Sequence, residues 1–295
     1  MRLILTVALL ATLTSCFSGE AQAAIQFGEA VNLNFSAVDA TLTDLDDVDG
    51  IEFGGNALSS NPTGRIAANG TDTNGSGFLD NGDQTRVVGH AFVDLASIDG
   101  GGTVAIDTGN TGRFEFTGVL RNLDGEITGF NNQNTFSAGF LDLYLDVDNA
   151  GTDFDVSDVS TSADGTLVAT FELLTGATFF TPLGFSSTSI DFKLISQLGN
   201  FFELQSGNDP IGLLATQVLS VDFVTNPPET LDGISGGGDP VDIGPGFSPG
   251  PPGSFDVVSN VDGSARFGFV PEPASLMVWA GIAAAAGICV RRKIA

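Results

Sequence analysis

Leu141-Asp142-Leu143-Tyr144-Leu145-Asp146-Val147-Asp148 alternates strictly, with apolar residues at odd positions and polar ones, mostly acidic, at even positions. A period of two belongs to a β-strand, whose successive side chains point to opposite faces. The stretch therefore reads as a strand with one buried face and one wet, acidic face. Similar runs occupy 113–120, 166–174, 189–195 and 218–224. Asp99-Gly100-Gly101-Gly102, Asp124-Gly125, Asp164-Gly165 and Asp262-Gly263 separate many of them and read as turns. No long amphipathic helix lies between the two termini. Short strands at turn spacing predict a mostly β, antiparallel sandwich or jelly-roll-like domain. A β-solenoid is the alternative, but no constant repeat period supports it.

The same reading divides the chain. Residues 24–226 form an acidic β-rich domain. Residues 227–253 carry seven of the twelve prolines and eight glycines, as a linker or a long loop would. Residues 254–260 and 264–269 then flank Asp262-Gly263 as a final β-hairpin over 254–270.

Charge excludes one class of function. The 295 residues carry 36 acids against 10 lysines and arginines, for a net charge of −26. Between 24 and 270 the balance reaches −28, so the surface repels phosphate and argues against nucleic-acid binding. A hydrophobic content of 42% argues against wholesale disorder. Cys16 and Cys289 both lie outside 24–270, so no disulfide staples this domain.

The ends carry sorting signals. Arg2, an apolar run over 3–13 and Ala21-Gln22-Ala23 read as an export signal (1–23) cleaved between Ala23 and Ala24. Leu13-Thr14-Ser15-Cys16 offers the competing reading of a lipobox with a lipidated Cys16. At the other end Pro271-Glu272-Pro273 precedes an uncharged run over 274–290, closed by Arg291-Arg292-Lys293. At ~1.5 Å per residue this run is about 25 Å long, slightly short of a ~30 Å bilayer core. Local thinning absorbs such a mismatch, and the basic end belongs in the cytoplasm. The run is thus expected to be a transmembrane helix, with the bulk of the protein outside.

Pro271, Glu272 and Pro273, the apolar run, and Arg291 and Arg292 together resemble the PEP-CTERM sorting tail of exported bacterial proteins. A plain single-pass anchor is the simpler alternative. The resemblance covers about 25 residues. It implies an exosortase-type transpeptidase as partner, and a cell-envelope or extracellular location in a biofilm-forming, Gram-negative-type bacterium. The 141–148 strand is faintly similar to flocculation-associated proteins bearing this tail.

Residues 72–83 hold the sharpest local pattern. Asp72, Asn74, Ser76, Asp80 and Asp83 place side-chain oxygens at positions 1, 3, 5, 9 and 12, with Gly77 at 6 and the Phe78 carbonyl at 7. This resembles an EF-hand-type Ca²⁺ loop, in which hard oxygens wrap one cation. It departs in having Asp83 where a bidentate Glu is usual, and no entering helix is expected. The competing reading is a hairpin loop chosen for turn geometry. Asp44, Asp46, Asp47, Asp49, Asp146 and Asp148 miss the ligand register and read as solvated strand ends and turns.

Enzyme signatures are thin. His90 is the single histidine, on an expected strand, and no Gly-x-Ser-x-Gly elbow accompanies it. Zinc patterns and a nucleophilic cysteine are absent from 24–270. Composition alone selects no glycosidase carboxylate pair. Trp279 lies in the tail and Tyr144 is the single tyrosine, so a Trp/Tyr sugar platform is not expected. Phe179-Phe180 and Phe201-Phe202 read as core. The expectation is a non-enzymatic matrix, biofilm or floc component, with exopolysaccharide or neighbouring surface proteins as partners. A Ca²⁺-dependent adhesin or polysaccharide-binding module is the second reading, and a secreted hydrolase the third.

Overall fold

The computed structural model describes residues 26–27, 30–53, 64–76, 80–98, 102–107, 109–110, 113–128, 133–147, 154–155, 159–180, 186–204, 216–225, 230–232 and 254–270. The signal segment with Ala23 and Ala24, Phe78, the run 274–290, and Pro271, Glu272, Pro273, Arg291 and Arg292 lie outside them. So does the 227–253 insert, apart from 230–232. Among the described residues no helix is long and apolar enough to cross a membrane.

The chain is mostly β and antiparallel, as the alternation predicts. Its strands are β1 (Gln26–Phe27), β2 (Val31–Leu33), β3 (Leu45–Phe53), β4 (Gly64–Thr71), β5 (Gln84–Ile98), β6 (Gly102–Ala105) and β7 (Phe114–Thr128). They continue with β8 (Gln133–Val147), β9 (Thr166–Phe180), β10 (Ser186–Gln197), β11 (Phe202–Leu204), β12 (Thr216–Thr225), β13 (Thr230–Asp232) and β14 (Ser254–Val270). The expected strands coincide with parts of β7, β8, β9, β10 and β12, except that Arg113 precedes β7 and Asp148 lies outside the described residues.

The sheet runs β14-β12-β10-β9-β8-β7-β5-β3, and β3 pairs again with β14 through Ala265 opposite Ile51. Eight strands therefore close into a barrel, where the sequence leads to two packed sheets. Alternation is the same in both architectures; the degree of strand bending differs. Here the ladder shifts register between Val87 and Gly89, Arg121 and Asp124, Leu143 and Tyr144, and Asp191 and Phe192. Such bulges bend a strand and increase its twist, and closure leaves fewer edges exposed. At the seam, β4 and β3 lie end to end between β5 and β14: β4 pairs with 84–91 and 254–260, β3 with 93–98 and 263–266.

Two Asp-Gly pairs are not turns. Ser254–Val270 is one strand rather than the expected hairpin, because Gly263 permits a close approach to β12. A Cβ there would meet Asp222 O at 2.6 Å and Phe223 Cβ at 2.6 Å. Gly125 likewise lies inside β7, where a Cβ would come within 2.7 Å of Asn134 Oδ1. Within the insert, Thr230–Asp232 adds a short strand to β14.

Inward residues fill the barrel in layers. One end is plugged by β2, β11 and a 3₁₀ turn (Phe35–Ala37), with Phe202 opposite Leu33. There Phe35 packs 4.6 Å from Phe114, Phe201 5.1 Å from Phe202, and Phe202 5.4 Å from Phe267, centroid to centroid. Phe201 and Phe202 are thus core, as expected; the Phe179 and Phe180 side chains lie outside the description. On β10, Ile190, Phe192 and Leu194 are buried while Ser189, Asp191 and Lys193 lie on the opposite face. β14 runs toward the plugged end, where Phe267 packs against Phe202.

Candidate functional site

The 72–83 segment joins β4 to β5 as a hairpin loop, with Thr71 opposite Gln84. Among the described residues, Asp72 Oδ1, Asn74 Oδ1 and Asp80 Oδ1 accept from the loop's own donors. Asp72 Oδ1 accepts from Gly75 N at 2.6 Å and Ser76 N at 3.2 Å, and Asn74 Oδ1 accepts from Ser76 N at 2.8 Å. Asn74 Nδ2 donates to Asp80 Oδ1 at 2.5 Å. Gly75 and Gly82 adopt φ of 74° and 98°, the left-handed conformation such a tight loop requires.

Asp83, the residue expected at the twelfth ligand position, is fully buried. Its Oδ1 accepts from Thr73 N and Thr73 Oγ1, and its Oδ2 from Asp80 N at 2.7 Å. Burial opposes ionisation, but the hydrogen bonds from Asp80 and Thr73 outweigh it and hold the carboxyl below its usual range. Asp83 O and Gly82 N also pair with Ile127, tying the loop to β7. The structure brings Asp72, Asn74, Ser76 and Asp80 together at the surface and turns Asp83 inward as the loop's anchor. Among the described residues no group of three or more His, Cys, Asp or Glu is placed to hold a metal ion.

A second cluster lies on the barrel's outer wall, where sequence reasoning found only His90. Arg65, His90, Val119, Asp142 and Thr170 stand in one row across β4, β5, β7, β8 and β9. His90 and Ser162 are buried, with His90 Nδ1 2.7 Å from Ser162 Oγ, and Thr117 Oγ1 donates to Ser162 O at 2.6 Å. Phe154 packs against the His90 and Phe92 rings at 5.4 and 5.9 Å. A serine–imidazole pair is the core of acyl-transfer chemistry. Here both members are enclosed, and the pair fastens the 159–162 turn to β5 and β7. Ser162 lies 72 residues from His90, and no local signal marks it.

Beside it, Arg121 Nε donates to Asp142 Oδ2, and the Arg121 guanidinium lies 5.3 Å from the Phe140 centroid. The Asp142 side chain is 3% exposed, and its Oδ1 has no hydrogen-bond partner among the described residues. Burial and the Asp142 charge raise the Tyr144 phenol. Across the seam, burial and the Asp262 charge push the Asp94 carboxyl up. Asp44, expected as solvated, caps Ser36 through its backbone N and hydroxyl at 2.7 and 2.8 Å. At the plugged end Asp39, Asp146 and Asp164 line an open, polar cleft.

Comparison of the chain with protein-family models, curated proteins and solved structures gives no match.

Proposed function

We propose that this protein is a non-enzymatic structural component of the extracellular matrix, biofilm or floc, sorted to the cell envelope through its C-terminal tail. The order Pro271-Glu272-Pro273, apolar run, Arg291-Arg292 carries the reading. Residues 274–290 serve as the transmembrane helix and an exosortase-type enzyme as the processing partner. Export over 1–23 delivers the acidic domain to the outer side.

The domain suits that role physically. A closed barrel without cysteines keeps its fold without disulfides, by burial and a continuous ladder. Its acidic exterior keeps copies apart until cations or polysaccharide hydroxyls bridge them. Neighbouring surface proteins and exopolysaccharide are the expected partners.

Replacing Pro271, Glu272 and Pro273 by Ala in the producing cell tests the proposal. We expect the protein to accumulate in the inner membrane and cell aggregation to fall as in a deletion strain. Unchanged location and aggregation would overturn the sorting role. Turnover of a glycan or ester panel by the purified chain would overturn the non-enzymatic one.

A further inference from the structure

The barrel is incompletely filled at the level of Ala91 and Leu143. A cavity of about 60 Å³ lies there, lined by residues that include Ala91, Leu120, Leu143, Ile190, Val221 and Val261, from six different strands. Ala91 on β5 and Ala265 on β14 bring little side-chain volume to this layer, and Gly89 and Gly118, whose Cβ positions are already met by Ile66 and by Leu143, bring none. On one side the phenylalanine plug closes the barrel. On the other, Thr85, Asn134, Thr178 and Thr188 form a polar layer, with Thr85 Oγ1 donating to Asn134 Oδ1 at 2.8 Å and the two threonine hydroxyls of Thr178 and Thr188 2.8 Å apart.

We infer that this cavity is a binding site for a small, uncharged, apolar molecule. His90 borders the space from β5, but its side chain stands on the outer wall with Nδ1 against Ser162, so the side chains that face the cavity are apolar. Water needs two to four polar partners to stay in such a space, and an ion would be stripped of its hydration without compensation. Dispersion contact with the aliphatic lining is the interaction on offer. Eight-stranded barrels are just wide enough to be filled by side chains or to hold one small ligand; here the glycine and alanine layer selects the second. Size sets the class: a cavity of about 150 Å³ admits benzene, so this one selects molecules smaller than an aromatic ring. The inference is independent of the matrix role.

Xenon is the probe. Methyl NMR of the full-length chain under xenon pressure is expected to give saturable shifts at Leu143, Ile190 and Val261, with benzene giving none. Ala91→Leu, which fills the space, is expected to weaken xenon binding at least tenfold while leaving the spectrum otherwise native. Val261→Leu reads the same effect if the first variant does not fold. Absence of saturable shifts in the parent chain would overturn the inference. So would shifts confined to the exposed Leu174 and Val224 methyls, or full binding retained in both filled variants.

Discussion

Asp83 Oδ1 accepts two hydrogen bonds from one residue, Thr73: its backbone N at 2.8 Å and its hydroxyl at 2.9 Å. With Oδ2 on Asp80 N, a single buried carboxylate holds Thr73 and Asp80, on the two described arms of the β4–β5 loop, to one point. Asp83→Ala leaves those donors without their acceptor, and we expect a loss of about 1–3 kcal/mol in urea unfolding. Thr73→Val removes one of the three bonds, and a smaller loss is expected.

The same geometry bears on metal. With Asp83 committed inward, Ca²⁺ at millimolar concentration is expected to raise the thermal midpoint only through relief of the acidic surface charge. That rise should survive Asp72→Ala/Asp80→Ala and be matched by Mg²⁺. A Ca²⁺-specific rise abolished by those substitutions would establish the loop as a calcium site.

Two carboxyls give opposite pH dependences. The Asp83 pKa is lowered in the fold, so its contribution is present above the unfolded value, near 3.9, and is lost as pH falls through the folded one. The Asp94 pKa is raised by burial and by Asp262, so ionised Asp94 destabilises the fold at neutral pH. Asp94→Asn is therefore expected to raise stability at pH 7, with the gain vanishing as pH drops below the unfolded carboxyl value. Urea titrations between pH 3 and 7 read both effects.

Gly263→Ala discriminates a strand from a turn. In the strand, a Cβ meets β12 backbone at 2.6 Å, and overpacking of this kind costs roughly 1–3 kcal/mol. In a hairpin turn the added methyl would face solvent. A variant as stable as the parent in urea would contradict the β14–β12 contact.

How legible all this was in the sequence depends on distance along the chain. Leu141, Leu143 and Leu145 announce β8 because a strand's period is local. Closure was not legible: Ala265 and Ile51 pair across more than 200 residues, and their alternation fits a sandwich equally well. Asp-Gly at 124–125 and 262–263 has the chemistry of a turn, yet both glycines serve close approach within strands. In the 72–83 loop the residue types were visible. The inward turn of Asp83 was not, because it depends on Thr73 and Ile127 closing around it. His90 reads as a strand residue and lies in β5, but nothing near it in the chain points to Ser162.

The sorting role is tested most directly by the intact mass of the protein recovered from the cell envelope or the medium. We expect a chain that begins at Ala24 and has been cleaved at the Pro271-Glu272-Pro273 motif. We also expect an inner-membrane form that keeps its tail when that motif is replaced by alanines. A recovered chain that still carries residues 1–23, or that runs intact to Ala295 with or without the motif, would contradict it.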